Sequence, residues 1–236
     1  MSELNWDTLY TDHADAYEVL VSHEDYQGNL PRLTQSIQPL AGQVAAEFGC
    51  GTGRVSSLLA GSVKRLHAFD FTLSMLRQAQ KNGYLHGWKN VSFALADSRR
   101  MPVASGWADF AIEGWAFLQI AVWHPDDWQD QLGRALAEMR RLVRPGGKLI
   151  LIETLGTGES TPKVVPFFRT VYDYLEAEAG FTPLTLRTDY RFESMQQIRQ
   201  VVLPLFRPEM LDRLVETPAG WLLPECTGIW WRDNAR

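Results

Sequence analysis

The residues whose types and spacing could do chemistry begin with E-F-G-C-G-T-G, residues 47–53. Three glycines, Gly49, Gly51 and Gly53, alternate with Cys50 and Thr52 behind the acid Glu47. Glycines so placed let a ligand lie against the backbone and make positive φ cheap. Asp70 lies 21 residues beyond Gly49 and is followed by Phe71. A carboxylate at that distance can return beside the glycine loop and accept hydrogen bonds from both hydroxyls of a ribose. Asp97-Ser98, Glu113-Gly114-Trp115, His124 and Glu153 follow in order. Acids and a histidine in such a series could hold polar groups of a ligand or take a proton near neutral pH.

These residues need a scaffold that brings them to one edge. Val44 to Phe48 is an apolar run that reads as a buried strand, and Arg54 to Ala60 has helical spacing through Val55, Leu58 and Leu59. Strand, glycine loop and helix form the first half of a βαβ unit, whose ligands bind outside the carboxyl ends of the strands. Further strands are expected at Lys64–Asp70, Val91–Ala96, Ala108–Glu113 and Lys148–Glu153. Helices are expected over 5–22, 29–40, from Thr72 or Ser74 to Asn82-Gly83, and from Trp128 through Val143. Pro125 suits a first turn and Asp126 and Asp127 its positive end, which accounts for those acids without chemistry.

The glycine spacing separates two ligands. A dinucleotide loop wants G-x-G-x-x-G, with its third glycine where Arg54 stands; here the pattern is G-x-G-x-G. E-F-G-C-G-T-G resembles motif I of the class I S-adenosylmethionine-dependent methyltransferases, and L-V-R-P-G-G-K-L-I-L-I-E, residues 142–153, is similar to a later stretch of that class. The resemblance covers roughly residues 40–155 and implies a doubly wound, mostly parallel seven-stranded Rossmann-like α/β sheet with its last strand antiparallel. It implies S-adenosyl-L-methionine as cofactor, leaving S-adenosyl-L-homocysteine. In that frame Glu47 helps hold the methionine amino end. Gly49, Cys50, Gly51, Gly53 and Phe71 line the cofactor, Asp70 holds the ribose, and Asp97-Ser98 meets the adenine. Glu113 and Trp115 face both sulfonium and substrate, and Glu113, His124 and Glu153 are the catalytic candidates. N-terminal helices of the class often cover the cofactor, which makes Tyr17, Tyr10 and Tyr26 possible contacts. The sequence after strand four is not the D/N-P-P-Y/F of nucleic-acid amino methylation. A small-molecule acceptor is therefore expected, with a nucleotide-dependent oxidoreductase or a non-transferring S-adenosylmethionine binder as alternatives.

The rest of the chain is read as one domain: helical lid 1–42, cofactor core 43–155, and 156–236 with a helical insertion at about 193–220 before a final strand at Cys226–Trp231. Pro162 to Ala179 reads as a helix and Leu184 to Phe192 as a strand. The insertion reads as two helices split at Leu203-Pro204, with Phe206 and Trp221 as possible pocket lining. At 236 residues and 45% hydrophobic the chain can bury a full core. A net charge of -5 argues against nucleic acid or an anionic membrane as the main partner. The acids Asp7, Asp12, Asp15 and Glu18 argue against a signal peptide, and two cysteines argue against a disulfide framework. A cytoplasmic protein with no metal site is expected; oligomeric state is not legible.

Overall fold

The structure, a computed structural model, describes residues 14–235, so the expected contact at Tyr10 lies outside the described residues. Its centre is β1 (Val44–Phe48), paired in parallel with β2 (Arg65–Asp70) on one side and β4 (Ala108–Gly114) on the other. β3 (Val91–Leu95) lies outside β2, and β5 (Val143–Thr157) lies beyond β4. β6 (Thr182–Arg187) forms the far edge, and β10 (Glu225–Asp233) runs antiparallel between β5 and β6. The order is therefore β3-β2-β1-β4-β5-β10-β6. The chain moves outward from β1 to β3 and then crosses back to β4. That reversal opens a crevice at the carboxyl ends of β1 and β4.

The central strands are largely apolar because both faces are covered, with the acids Glu47, Glu113 and Glu153 set toward their carboxyl ends. Alternate residues go to opposite layers, as the period of two requires. Phe110, Ile112, Ile150 and Ile152 pack with α2 (Asn29–Ile37), α3 (Arg54–Leu59) and α4 (Leu73–Leu85). Ala111, Leu149 and Leu151 pack with α5 (Phe117–Trp123), α6 (Trp128–Leu142) and α7 (Pro166–Ala177). A third, smaller core joins α1 (Ala14–Val21) to the segment between β6 and β10 through Leu20, Tyr190, Ile198, Val202, Leu205 and Leu223. No helix among the described residues is long and apolar enough to cross a membrane.

Several boundaries differ from expectation, each for a local reason. α2 stops at Ile37 because Gln38, which precedes Pro39, is held extended at φ -137° and ψ 116°. α4 runs past Asn82-Gly83 to Leu85. Asn82 Nδ2 donates to the Thr52 carbonyl at 2.9 Å, and a Cβ on Gly83 would meet Trp88 at 3.2 Å. That pair ties the helix to the glycine loop instead of ending it. The stretch expected as one strand over 184–192 breaks at Thr188-Asp189 into β6 and β7 (Tyr190–Phe192). The two expected helices of the insertion are one, α8 (Met195–Val201), followed by a 3₁₀ turn at Pro208–Arg213. The rest is sheet: β8 (Val215–Thr217) and β9 (Gly220–Leu223) join β7 in a small antiparallel sheet ordered β7-β9-β8.

Candidate functional site

The loop after β1 bends back over the sheet through positive φ at Gly49 (65°) and Gly51 (54°). A Cβ on Gly49 would lie 2.3 Å from the Ala116 side chain, so this glycine permits the loops after β1 and β4 to touch. A Cβ on Gly51 would meet nothing within 4 Å, which leaves open space beside the backbone where a ligand can lie. Gly53 stands at the N-cap of α3 under Trp88.

Around that loop the strand ends deliver a narrow cleft. Its lining includes Glu47, Gly49, Cys50, Gly51, Asp70, Phe71, Asp97, Ser98, Trp115, His124 and Tyr17. Asp70 is nearly buried and accepts from Gly51 N and Thr72 N, both at 2.8 Å, one on each carboxylate oxygen. Burial raises its carboxyl above the ordinary range, and those backbone donors pull it back. Each oxygen keeps acceptor capacity for a further donor, which suits a pair of ribose hydroxyls. Asp97 accepts from Arg99 through Nε and Nη2, and these bonds hold its carboxyl below the usual range. Arg99 Nη1 is also 2.8 Å from His124 Nε2, so His124 is tied into the wall by that nitrogen. Glu47 is fully buried and accepts from Ser56 N at 3.2 Å and Ser56 Oγ at 2.5 Å. Burial pushes its carboxyl up to about 8. Phe71 is exposed and meets Trp123 edge-on at 5.3 Å. The residues present fit an adenosine-bearing ligand: an open glycine cradle, a strand-end acid with spare acceptors, and an aromatic wall.

Trp115 marks the end of the cleft, with φ 56°, an unusual value for a bulky residue. Its N–H donates to the Ile152 carbonyl at 2.7 Å, and the guanidinium of Arg54 lies over its ring. Arg54 is in turn ion-paired with Glu24. Tyr17, Arg54, Trp115 and Gln119 line both the cleft and a second cavity of about 980 Å³. That volume is at the upper end for ligand pockets. Its walls are mostly apolar, with Leu20 from α1, Leu118 and Val122 from α5, Phe167 and Phe168 from α7, and Phe206 from the insertion. Glu153 and Glu225 are its buried acids.

The expected catalytic acids separate here. Glu113, expected to face cofactor and substrate, lines neither cavity. Its Oε2 accepts from Ala116 N at 3.1 Å and Phe117 N at 3.3 Å. Glu153 Oε1 accepts from Leu118 N at 2.7 Å and does line the large cavity. The two acids thus satisfy orphan N–H groups in the first turn of α5 and fix the loop carrying Trp115. Burial raises both carboxyls, with Glu153 at about 8 and Glu113 well above its ordinary value, helped by the nearby Glu153. Tyr26 and Trp221 line neither cavity; Tyr26 sits at the surface beneath Arg191. Arg54, Arg99, Gln119 and Glu225 were not foreseen as site residues. Arg54 alone carried a signal, as the cation standing where a dinucleotide loop has glycine.

Comparison with known proteins bears on this edge of the sheet. Residues 45–147 match a family described as a methyltransferase domain. The malonyl-[acyl-carrier protein] O-methyltransferase of Pseudescherichia vulneris is 28% identical over 173 residues, covering 66% of this chain and 62% of that protein. The demethylmenaquinone methyltransferase of Renibacterium salmoninarum is 28% identical over 144 residues, 61% of this chain and 52% of that protein. The chain thus spans less than two thirds of the length of these relatives. Among solved structures, a SAM dependent methyltransferase from Aquifex aeolicus aligns with a TM-score of 0.56 at 17% identity, over 92% of this chain and 97% of that one, which speaks to the fold. E-F-G-C-G-T-G, Asp70 and Asp97 are gathered at one edge of a sheet of this order, within the residues, 45–147, that match a methyltransferase domain.

Proposed function

We propose that this chain is an S-adenosylmethionine-dependent methyltransferase acting on a small, largely apolar molecule held in the large cavity. The observation that carries the proposal is the junction: a glycine-lined cleft with acids at its strand ends shares Tyr17, Arg54, Trp115 and Gln119 with a larger, mostly apolar chamber. Asp70 would hold the ribose, Asp97 and Ser98 the adenine edge, and Glu47 the loop at the methionine end. S-adenosylmethionine, when bound, supplies a methyl group that its sulfonium has already made electrophilic. The protein's share is then alignment and the exclusion of water. Trp115 and Gln119 would orient the acceptor at the junction, while α1 and the insertion close the chamber on its far side. Glu153, which lines the chamber, could take an acceptor proton; His124 could do so only on release from Arg99, to which its Nε2 is bonded; Glu113 serves as a positioning residue through the first turn of α5.

The relatives' names bring a carrier-bound malonyl group and a quinone precursor as acceptor classes. The mostly apolar lining of the chamber favours an acceptor with an apolar body. The test is conversion of methyl-labelled S-adenosylmethionine to S-adenosylhomocysteine with a panel of apolar amines, alcohols and phenols. Turnover with at least one acceptor is expected, together with binding of S-adenosylhomocysteine and none of NAD. NAD binding alone would overturn the proposal in favour of an oxidoreductase, and donor binding without any turnover would favour a non-transferring binder.

A further inference from the structure

Glu225 is a buried acid in the chamber wall. It is the first residue of β10 and is 2% exposed. Its backbone is fixed on both sides: its N–H donates to Asp189 Oδ1 at 2.9 Å and its carbonyl accepts from Thr188 N at 3.0 Å. Oε1 accepts from Thr154 Oγ1 at 2.7 Å. Oε2 is buried with no partner at full hydrogen-bond geometry, although the Thr157 side chain on the neighbouring strand is near enough to lower the carboxyl, and the residue lines the large cavity. A buried acceptor left unpaired costs about 1–3 kcal/mol, more if charged, unless something in the cavity donates to it.

The charges around the chamber point the same way. Glu153 and Glu225 both line it. The cations among the lining residues, Arg54 and Lys163, are already paired with Glu24 and Glu159. A carboxylate entering the chamber would meet Glu153 and Glu225, besides Glu159 paired with Lys163, and no unpaired cation among the described lining residues. An amine would find a counter-charge, and a hydroxyl an acceptor. Arg54, which lines both cavities, is also close enough to both acids to lower their carboxyls.

We infer that Glu225 is the polar anchor of the acceptor chamber, selecting apolar molecules that carry a hydrogen-bond donor, an amine or a hydroxyl, against those that carry a carboxylate. This rests on reading the large cavity as the acceptor site. Burial pushes the Glu225 carboxyl up to about 7, so near neutral pH it can meet a cation as carboxylate or a neutral hydroxyl as acceptor.

The test is a matched series with one apolar body, namely 2-naphthylmethylamine, 2-naphthalenemethanol and 2-naphthoate, titrated by calorimetry into protein saturated with S-adenosylhomocysteine. The amine or the alcohol should bind at least about tenfold tighter than 2-naphthoate, and which of the two leads separates the charged from the neutral donor. Glu225→Gln, which keeps the contact with Thr154, should weaken the amine and strengthen 2-naphthoate. Glu225→Met should weaken amine and alcohol together. Both variants should bind S-adenosylhomocysteine within about twofold of the native protein, which also shows that they fold. Equal or tighter binding of 2-naphthoate to the native protein would overturn the inference. So would an unchanged ranking in Glu225→Gln, or no binding of any of the three. Failure of S-adenosylhomocysteine to bind would count against the methyltransferase reading instead, and the series run on unliganded protein would still decide the anchor.

Discussion

The cleft and the chamber share Tyr17, Arg54, Trp115 and Gln119 but are built in opposite ways. The cleft comes from short runs at successive strand ends, residues 47–54, 70–75, 97–99 and 114–124, and its polar groups are held by backbone N–H donors such as Gly51 and Thr72. The chamber comes from pieces far apart in the chain, α1, α5, the stretch from Glu153 to Phe168, Leu205-Phe206 and Glu225. Its far wall is the small core that joins α1 to the insertion. Sheet topology therefore fixes one site, while the docking of peripheral elements shapes the other. A rigid edge for a shared cofactor beside a wall of added parts lets acceptor preference change without disturbing donor binding.

The largest effect should come from the contact that closes the cleft. Gly49→Ala places a Cβ 2.3 Å from Ala116 at φ 65°. Strain and overpacking together should cost about 3 kcal/mol in urea unfolding, more than Phe206→Ala in the chamber wall. Loss of less than about 1 kcal/mol would mean that the two loops part easily.

Asp70→Asn comes next. It should weaken S-adenosylhomocysteine by about 1.5–3 kcal/mol, roughly ten- to a hundredfold in calorimetry, through charge-assisted hydrogen bonds lost to the ribose. Binding of 2-naphthalenemethanol to the unliganded protein should stay unchanged. Parallel loss of both would show that the sites are not independent.

Buried acids on each side give a pH signature. Glu47 at about 8, Glu153 at about 8 and Glu225 at about 7 all lie above the ordinary 4.5. Folded pKa values above the unfolded ones mean that the native state binds more protons between those limits. Their stabilisation is thus full below about 4.5 and is lost as pH rises through 7 to 8. The Tm of the unliganded protein should fall from pH 5 to pH 8.5. Glu47→Gln should flatten the slope from the cleft side and Glu153→Gln from the chamber side; a Tm that rises over that range would contradict both placements.

Phe206→Ala should give the smallest effect. It is half-buried in the chamber wall, so it should weaken 2-naphthalenemethanol by about 1 kcal/mol and leave S-adenosylhomocysteine affinity unaltered.

The same contrast explains what could be read from the sequence. Strand periodicity, glycines and acids at strand ends are local signals, so the sheet and the cleft lining from Glu47 through Ser98 were legible. Glu113 was placed in the right loop, yet its side chain turns inward to the N–H groups of α5, a helix whose apolar run F-L-Q-I-A-V-W shows no clear period. The insertion's strands were hidden because β8 and β9 are three and four residues long and gain their order from pairing with each other and with β7. Glu225 gave no signal at all. An acid one residue before a buried strand looks solvent-facing until Thr154, Thr188 and Asp189 close around it.

The most direct measurement is a crystal structure with S-adenosylhomocysteine. Both ribose hydroxyls should lie within hydrogen-bond distance of Asp70, with adenine beside Asp97-Ser98 and sulfur at Trp115 facing an empty apolar chamber. Nucleoside bound in the chamber, or Asp70 making only its contacts to Gly51 and Thr72, would contradict it.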